Sequence, residues 1–237
     1  MERGKLIAIE GTDCSGKETQ TKLLKEKLEK EGKKVIIYSF PNYNSPTGRI
    51  VGGPYLGKPE IGDSYFGEEA LRLDPMITSL YYAADRKYNT TEVYKQLDEG
   101  YYVLLDRYVS SNQAHQGGKI FDENKRRDLY TWLDVLEYQL LDLPKPDMTI
   151  FLHMPFEYSK ILKKNRTALD IHEKSDEHLK NAEKAYLELA DIYSWNTIEC
   201  VKDNTIRTIE DISEEVLSNV HELSKEKVKQ LSFFKES

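Results

Sequence analysis

The chain has 237 residues, 39% of them hydrophobic, which suits one large domain with a real core and excludes an intrinsically disordered chain. Its formal charge of −7 argues against a general polyanion-binding surface, so nucleic acid is not an expected partner and Lys and Arg are left to act locally on small phosphorylated ligands. No apolar run approaches about 18 residues and the N-terminus leads straight into a strand pattern, so the expectation is a cytoplasmic protein with no membrane partner.

The first predicted strand, 5–10, runs directly into Gly11-Thr12-Asp13-Cys14-Ser15-Gly16-Lys17-Glu18-Thr19, and a helix pattern over 19–31 follows. Strand, glycine-bounded loop and helix in that order are the context of a phosphate-binding P-loop. Its backbone N–H groups curl inward toward phosphate oxygens, the helix adds its positive end, and Lys17 reaches the β- and γ-phosphates of a nucleotide. The loop departs from the motif at one place. Glu18 stands where a Ser or Thr hydroxyl ordinarily ligates magnesium, and the hydroxyl comes one residue later, at Thr19. Cys14 in the loop and Cys200 in a late apolar run do not frame a fold and are expected as small thiols without a disulfide.

Further strands are predicted at 34–39, 101–106, 148–153 and 197–201, and further helices at 68–99, 123–141, 156–164, 176–193 and 208–229. Five apolar strands separated by helices predict an α/β protein: a P-loop NTPase three-layer sandwich, with a five-stranded parallel sheet and helices on both faces. Ligands then belong at the carboxyl ends of the strands. Residues 41–66 carry four prolines and several glycines, read here as a substrate-covering loop within one domain.

The strand Val103-Leu104-Leu105 ends in Asp106-Arg107-Tyr108. Asp106 at this edge can hold magnesium, directly or through water, although a strand-terminal Asp also serves as a helix cap. Arg107 beside it offers a bidentate grip on a second phosphate.

At this point the sequence resembles the thymidylate kinases. The matching stretches are Gly11 through Gln20, Phe40-Pro41-Asn42-Tyr43, Ala84-Asp85-Arg86, Asp106-Arg107-Tyr108-Val109-Ser110-Ser111-Asn112-Gln113-Ala114-His115-Gln116-Gly117, Leu143-Pro144-Lys145-Pro146-Asp147, and Asn165-Arg166 through Asp170, Glu173 and Asp176. The long segment from Asp106 is far more specific than the P-loop.

The resemblance implies roles at these positions. Asp13 touches the acceptor sugar hydroxyl and nearby phosphate, with an Asx turn as its competing role. Phe40 and Tyr43 wall the monophosphate pocket. Tyr82 stacks on thymine, although in a chain with 16 tyrosines core packing competes with that role. Arg86 donates to the thymine O4 edge or sits in a surface salt bridge, Arg107 holds the acceptor phosphate, and Asn112 completes base recognition, with Ser111 and Gln116 in the same substrate site. His115 stands where the family usually carries an aromatic that crowds the sugar 2′ position; its competing reading is packing beside Tyr108.

Lys163, Lys164 and Arg166 fit a lid, about 160–175, over the ATP phosphates, with a solvated charged face as the competing reading for the two lysines. Of these, Arg166 is assigned to catalysis with Lys17, Asp13 and Arg107. Asp170 and Glu173 match acidic positions that assist at phosphates and metal, and His172 between them is given no metal role. The metal set is Asp106, Thr19 and Glu173.

The resemblance thus implies an ATP- and Mg²⁺-dependent phosphorylation of dTMP to dTDP, in a kinase domain over 1–224 followed by a C-terminal extension, 225–237. A deoxynucleoside kinase and a catalytically weak nucleotide-binding protein remain as alternatives. It also implies a homodimer packed through helices, for which the stripe Trp132, Leu133, Leu136 and Leu140 is a candidate face, equally compatible with an internal core.

Overall fold

The strand β1, Lys5–Gly11, is buried at every residue because it lies at the centre of a sheet ordered β2-β3-β1-β4-β5. In this computed structural model, which describes residues 3–163 and 175–233 with side chains to 223, the other strands are β2, Val35–Ser39, β3, Tyr102–Asp106, β4, Met148–His153, and β5, Asn196–Glu199. Every pairing is parallel, with Ile7 opposite Leu104 and Ile9 opposite both Asp106 and Ile150. The five predicted strands and their parallel arrangement are therefore present.

Alternation along each strand sends side chains to two faces, and both are covered. Ile7, Ile9, Leu104 and Ile150 pack with Leu24 and Leu28 of α1, Lys17–Lys30, and with Ile212, Val216 and Val220 of α8, Ile209–Phe233. Leu6, Ala8, Val103 and Leu105 pack on Val93 and Leu97 of a long helix, Pro75–Asp98.

Between β2 and that long helix, the segment read as a covering loop is more ordered than its prolines imply. It forms α2, Pro46–Ile50, and a π-helical turn, Val51–Tyr55, whose Val51, Tyr55 and Leu56 make a satellite core with Ala70. The long helix, α3, starts later than predicted. Asp74 caps it, accepting from Met76 N at 2.8 Å and Ile77 N at 3.2 Å, and Pro75 fills the first position, where a missing N–H costs nothing.

The helix α4, Val109–Gly117, was not predicted; its buried side chains are mostly polar and give no apolar stripe. The next helical stretch divides into α5, Glu123–Asp134, and a π-helical turn, Val135–Leu140. Then come α6, Phe156–Lys163, and α7, Asp176–Ile192, where Tyr186 and Leu189 pack on Phe151. The predicted strand over 197–201 ends early because Val201–Lys202 and Thr205–Ile206 pair as a hairpin, β6 and β7, around Asp203 and Asn204, both at positive φ. The helix α8 continues unbroken past 224, so the boundary of the extension falls inside a helix. Among the described residues no helix is long and apolar enough to cross a membrane.

Candidate active site

The P-loop follows β1 at the carboxyl edge of the sheet. A Cβ on Gly11 would lie 2.5 Å from Ser15 Oγ and 2.7 Å from the Leu152 carbonyl, so only glycine allows this turn. Gly16, at φ 79°, opens α1. Thr12 pins the loop to the end of β4: its hydroxyl donates to Met154 O at 2.7 Å and accepts from Met154 N at 2.8 Å. Lys17 Nζ donates to Gly11 O at 2.9 Å and Thr12 O at 2.8 Å. Burial, followed by the charge of Arg107, lowers this ammonium to a pKa of about 8. Glu18 and Thr19 are both exposed, and Glu18 pairs with Lys22 at 2.5 Å.

Arg107 follows β3 with φ 67°, a left-handed conformation that costs a non-glycine residue about 1–3 kcal/mol unless its surroundings impose it. The surroundings do. Arg107 N donates to Ile9 O at 3.1 Å, and the next N–H, of Tyr108, donates to Glu10 Oε1 at 2.8 Å. Glu10 also accepts from Ser111 N at 3.1 Å and Ser111 Oγ at 2.6 Å, and so caps α4. The cap considered for Asp106 is thus supplied by Glu10. Burial raises the pKa of Glu10, against the hydrogen bond from Ser111 and the charge of Arg107. No sequence signal singled out Glu10, an acid closing an apolar strand.

A cleft opens above these residues. Every residue assigned to the substrate site lines it: Phe40, Tyr43, Tyr82, Arg86, Arg107, Ser111, Asn112, His115 and Gln116, with Asp13 at its rim. Tyr82 lines the cleft and also stands edge-on to Tyr55 at 5.9 Å in the satellite core. Arg86 is in a salt bridge, but a buried one: Nη2 donates to Glu137 Oε1 at 2.6 Å and Nε to Oε2. Asn112 Nδ2 reaches the same Glu137 Oε1 at 3.3 Å.

Glu137 therefore holds two side chains whose remaining groups are complementary. The Arg86 guanidinium keeps Nη1 to donate, and Asn112 Oδ1 is a buried acceptor without a protein partner. Both amide atoms of Gln116 are likewise buried and unpartnered. Buried polar atoms without partners are rare, and here they face a cleft that can supply them. A donor beside an acceptor matches an O=C–N–H edge, such as a pyrimidine presents. His115 packs against His178 rather than Tyr108, with rings stacked at 5.4 Å and Nδ1 3.2 Å from His178 Nε2.

A second cleft shares Phe40, Tyr43 and Arg107 with the first, and its wall adds Glu18, Lys22, Lys58 and Asp106. Thr19 is not on either wall. Among the described residues no cluster of three or more metal-type side chains is assembled. Asp106 on this cleft suits Mg²⁺, which takes one or two carboxylates and completes its shell with water and substrate phosphates. Lys164, Arg166, Asp170, His172 and Glu173 lie outside the described residues, and the assigned lid can be followed only to Lys163 at the end of α6. Among the described residues, neither Cys14 nor Cys200 is in a disulfide.

The thymidylate kinase family model matches residues 9–216. A probable thymidylate kinase of Pyrococcus horikoshii is 32% identical over 223 residues, covering 93% of this chain and 98% of its own length. Probable thymidylate kinase 1 of Saccharolobus solfataricus is 33% identical over 199 residues, covering 84% of this chain and 90% of its own. A solved thymidylate kinase from Candida albicans has a similar fold, with a TM-score of 0.69 at 24% identity over 92% of each chain. The chain belongs to the thymidylate kinase family.

Proposed function

We propose that this chain transfers the γ-phosphoryl group of ATP to the phosphate of dTMP, giving dTDP and ADP on the route to dTTP. The observation that carries the reading is the joining of three features at one sheet edge: the P-loop, the Arg107 guanidinium, and the base-edge complement hung from Glu137. The acceptor phosphate oxygen attacks the γ-phosphorus in line while Lys17 and Arg107 spread positive charge over the phosphates, and no side-chain nucleophile is needed. Arg107 clamps the acceptor phosphate. Arg86, Asn112 and Gln116 orient the base, Phe40, Tyr43 and Tyr82 enclose it, Ser111 supports Arg107, and Asp13 meets the sugar. Arg166 is assigned to the donor phosphates and Glu173 to the metal.

Asp106 would hold Mg²⁺ in the cleft that Glu18 also lines, and the ion would supply neutralisation of donor phosphate charge. We further propose a cytoplasmic homodimer, with the kinase domain over 1–224 and an extension over 225–237. Leu133 of the candidate stripe is buried inside the chain and Leu140 is exposed, while α3 exposes Met76, Leu80 and Tyr88 as a second apolar face. That face is the better dimer surface, and Leu80→Glu should give monomers on analytical ultracentrifugation.

The test is a panel of nucleoside monophosphates, with thymidine alongside, assayed with ATP and Mg²⁺. Turnover of dTMP above the rest supports the reading. Turnover of thymidine alone points to a deoxynucleoside kinase, and ATP binding without turnover to a nucleotide-binding protein.

A further inference from the structure

Two buried hydroxyls stand behind the Arg107 guanidinium. Arg107 Nη1 lies 3.4 Å from Ser111 Oγ and 3.5 Å from Tyr186 OH, and these two oxygens are 2.8 Å apart. Both are in turn held by one carboxylate oxygen, Glu10 Oε2, at 2.6 Å from Ser111 Oγ and 3.3 Å from Tyr186 OH. The Tyr186 ring is fully buried and stacked on Phe151 at 5.3 Å, so its hydroxyl is fixed from α7 while Ser111 is fixed from α4.

This arrangement touches the cleft only through Arg107 and Ser111. Tyr186 is not on its wall, and neither is Glu10. A guanidinium on a strained backbone has several rotamers of similar energy, and a bidentate grip on phosphate requires one of them. Glu10 fixes the backbone on the C-terminal side of Arg107 through Tyr108 N, and fixes the far end of its side chain through Ser111 and Tyr186. We propose that Tyr186, anchored by Glu10, is a positioning residue that presets the Arg107 guanidinium for the acceptor phosphate. The inference rests on the assignment of Arg107 to that phosphate.

Tyr186→Phe removes the hydroxyl and keeps the ring stack on Phe151, so the fold is retained. The dTMP dissociation constant, read by calorimetry, is expected to rise about five- to tenfold, the scale of one lost hydrogen bond, while those for ATP and for thymidine, which has no phosphate, stay unchanged. In an Arg107→Ala background the same substitution should have no further effect, because nothing is left to position. A Tyr186→Phe protein with unchanged dTMP affinity overturns the inference. So does a parallel weakening of dTMP, thymidine and ATP, which marks a merely structural role. If Arg107→Ala leaves dTMP affinity intact, the phosphate assignment itself fails and the inference with it; if only Tyr186→Phe is silent, the assignment stands and the inference alone falls.

Discussion

Arg86 and Glu137 stand 51 residues apart in sequence and form a two-point ion pair, exposed by 2% and 0%, with Arg86 on the wall of the cleft. Glu137 outweighs the cost of burial and holds the Arg86 pKa above its ordinary value. Breaking such a pair from one side leaves an uncompensated buried charge. Glu137→Gln, nearly isosteric, is therefore expected to lower stability by about 3–5 kcal/mol in urea unfolding and to raise the KM for dTMP, because Arg86 and Asn112 lose their common anchor. An unchanged midpoint would show that Arg86 finds another partner.

Lys17 gives a pH prediction. Its buried ammonium loses its proton near pH 8 in the free protein, against an ordinary value of 10.5, and a bound triphosphate raises that value again. Above pH 8 ATP binding must take up a proton, so affinity falls as pH rises. Lys17→Met should bind ATP weakly with a flat profile across that range, measured by calorimetry, and should lose about 10²-fold or more in turnover while keeping its fold.

The sheet was legible because each strand is an apolar run with polar or glycine boundaries, and the P-loop because its chemistry is local. What was missed is non-local or polar. Glu137 is an acid in a helical stretch, and nothing nearby in sequence marks Arg86 as its partner. Glu10 looks like a strand boundary until Tyr108 and Ser111 are folded onto it. The helix α4 buries Ser110, Ser111, Asn112, Gln113 and Gln116, so no hydrophobic period announces it. Its residues were legible as a family segment, whereas the helix that presents them was not.

Glu18 lies exposed at the start of α1, paired with Lys22. An exposed pair of this kind contributes little, so Glu18→Ser is expected to leave the melting temperature within about a degree or two. ATP use should be kept or modestly improved, since a carboxylate near phosphate oxygens repels them unless a cation intervenes. A fall in activity that added Mg²⁺ partly restores would place Glu18 in the metal shell.

His153 ties three elements together at the end of β4, with Nε2 2.9 Å from Glu183 and Nδ1 2.8 Å from Glu199. Burial works against the charged ring, but Glu183 and then Glu199 outweigh it and the pKa is raised above 6.5. With the folded value above the unfolded one, this stabilisation is complete below the ordinary imidazole value and is lost as pH rises through the elevated one. The difference in melting temperature between wild type and His153→Gln should therefore be larger at about pH 6 than at about pH 9. Equal differences at both would show that the contacts act by packing alone.

His115 lines the cleft, and its ring is stacked on His178 and edge-on to Tyr186 at 5.8 Å. Imidazole is smaller than a phenol ring and carries two nitrogens that donate or accept according to tautomer. A sugar 2′-hydroxyl at this wall would meet a ring smaller than that of a tyrosine and able to hydrogen-bond. Selectivity that depends on a polar partner differs from selectivity by bulk, because a hydrogen-bonding group left unpaired carries its own penalty. Wild type is expected to discriminate weakly between dTMP and its ribo counterpart, and His115→Tyr to sharpen the deoxy preference by lowering kcat/KM for the ribonucleotide. His178→Asn breaks the ring pair without filling the cleft and should leave the ratio near that of wild type. Measuring kcat/KM for both nucleotides on the three proteins decides the matter: a strong deoxy preference already present in wild type, and unmoved by tyrosine, would remove this role from His115.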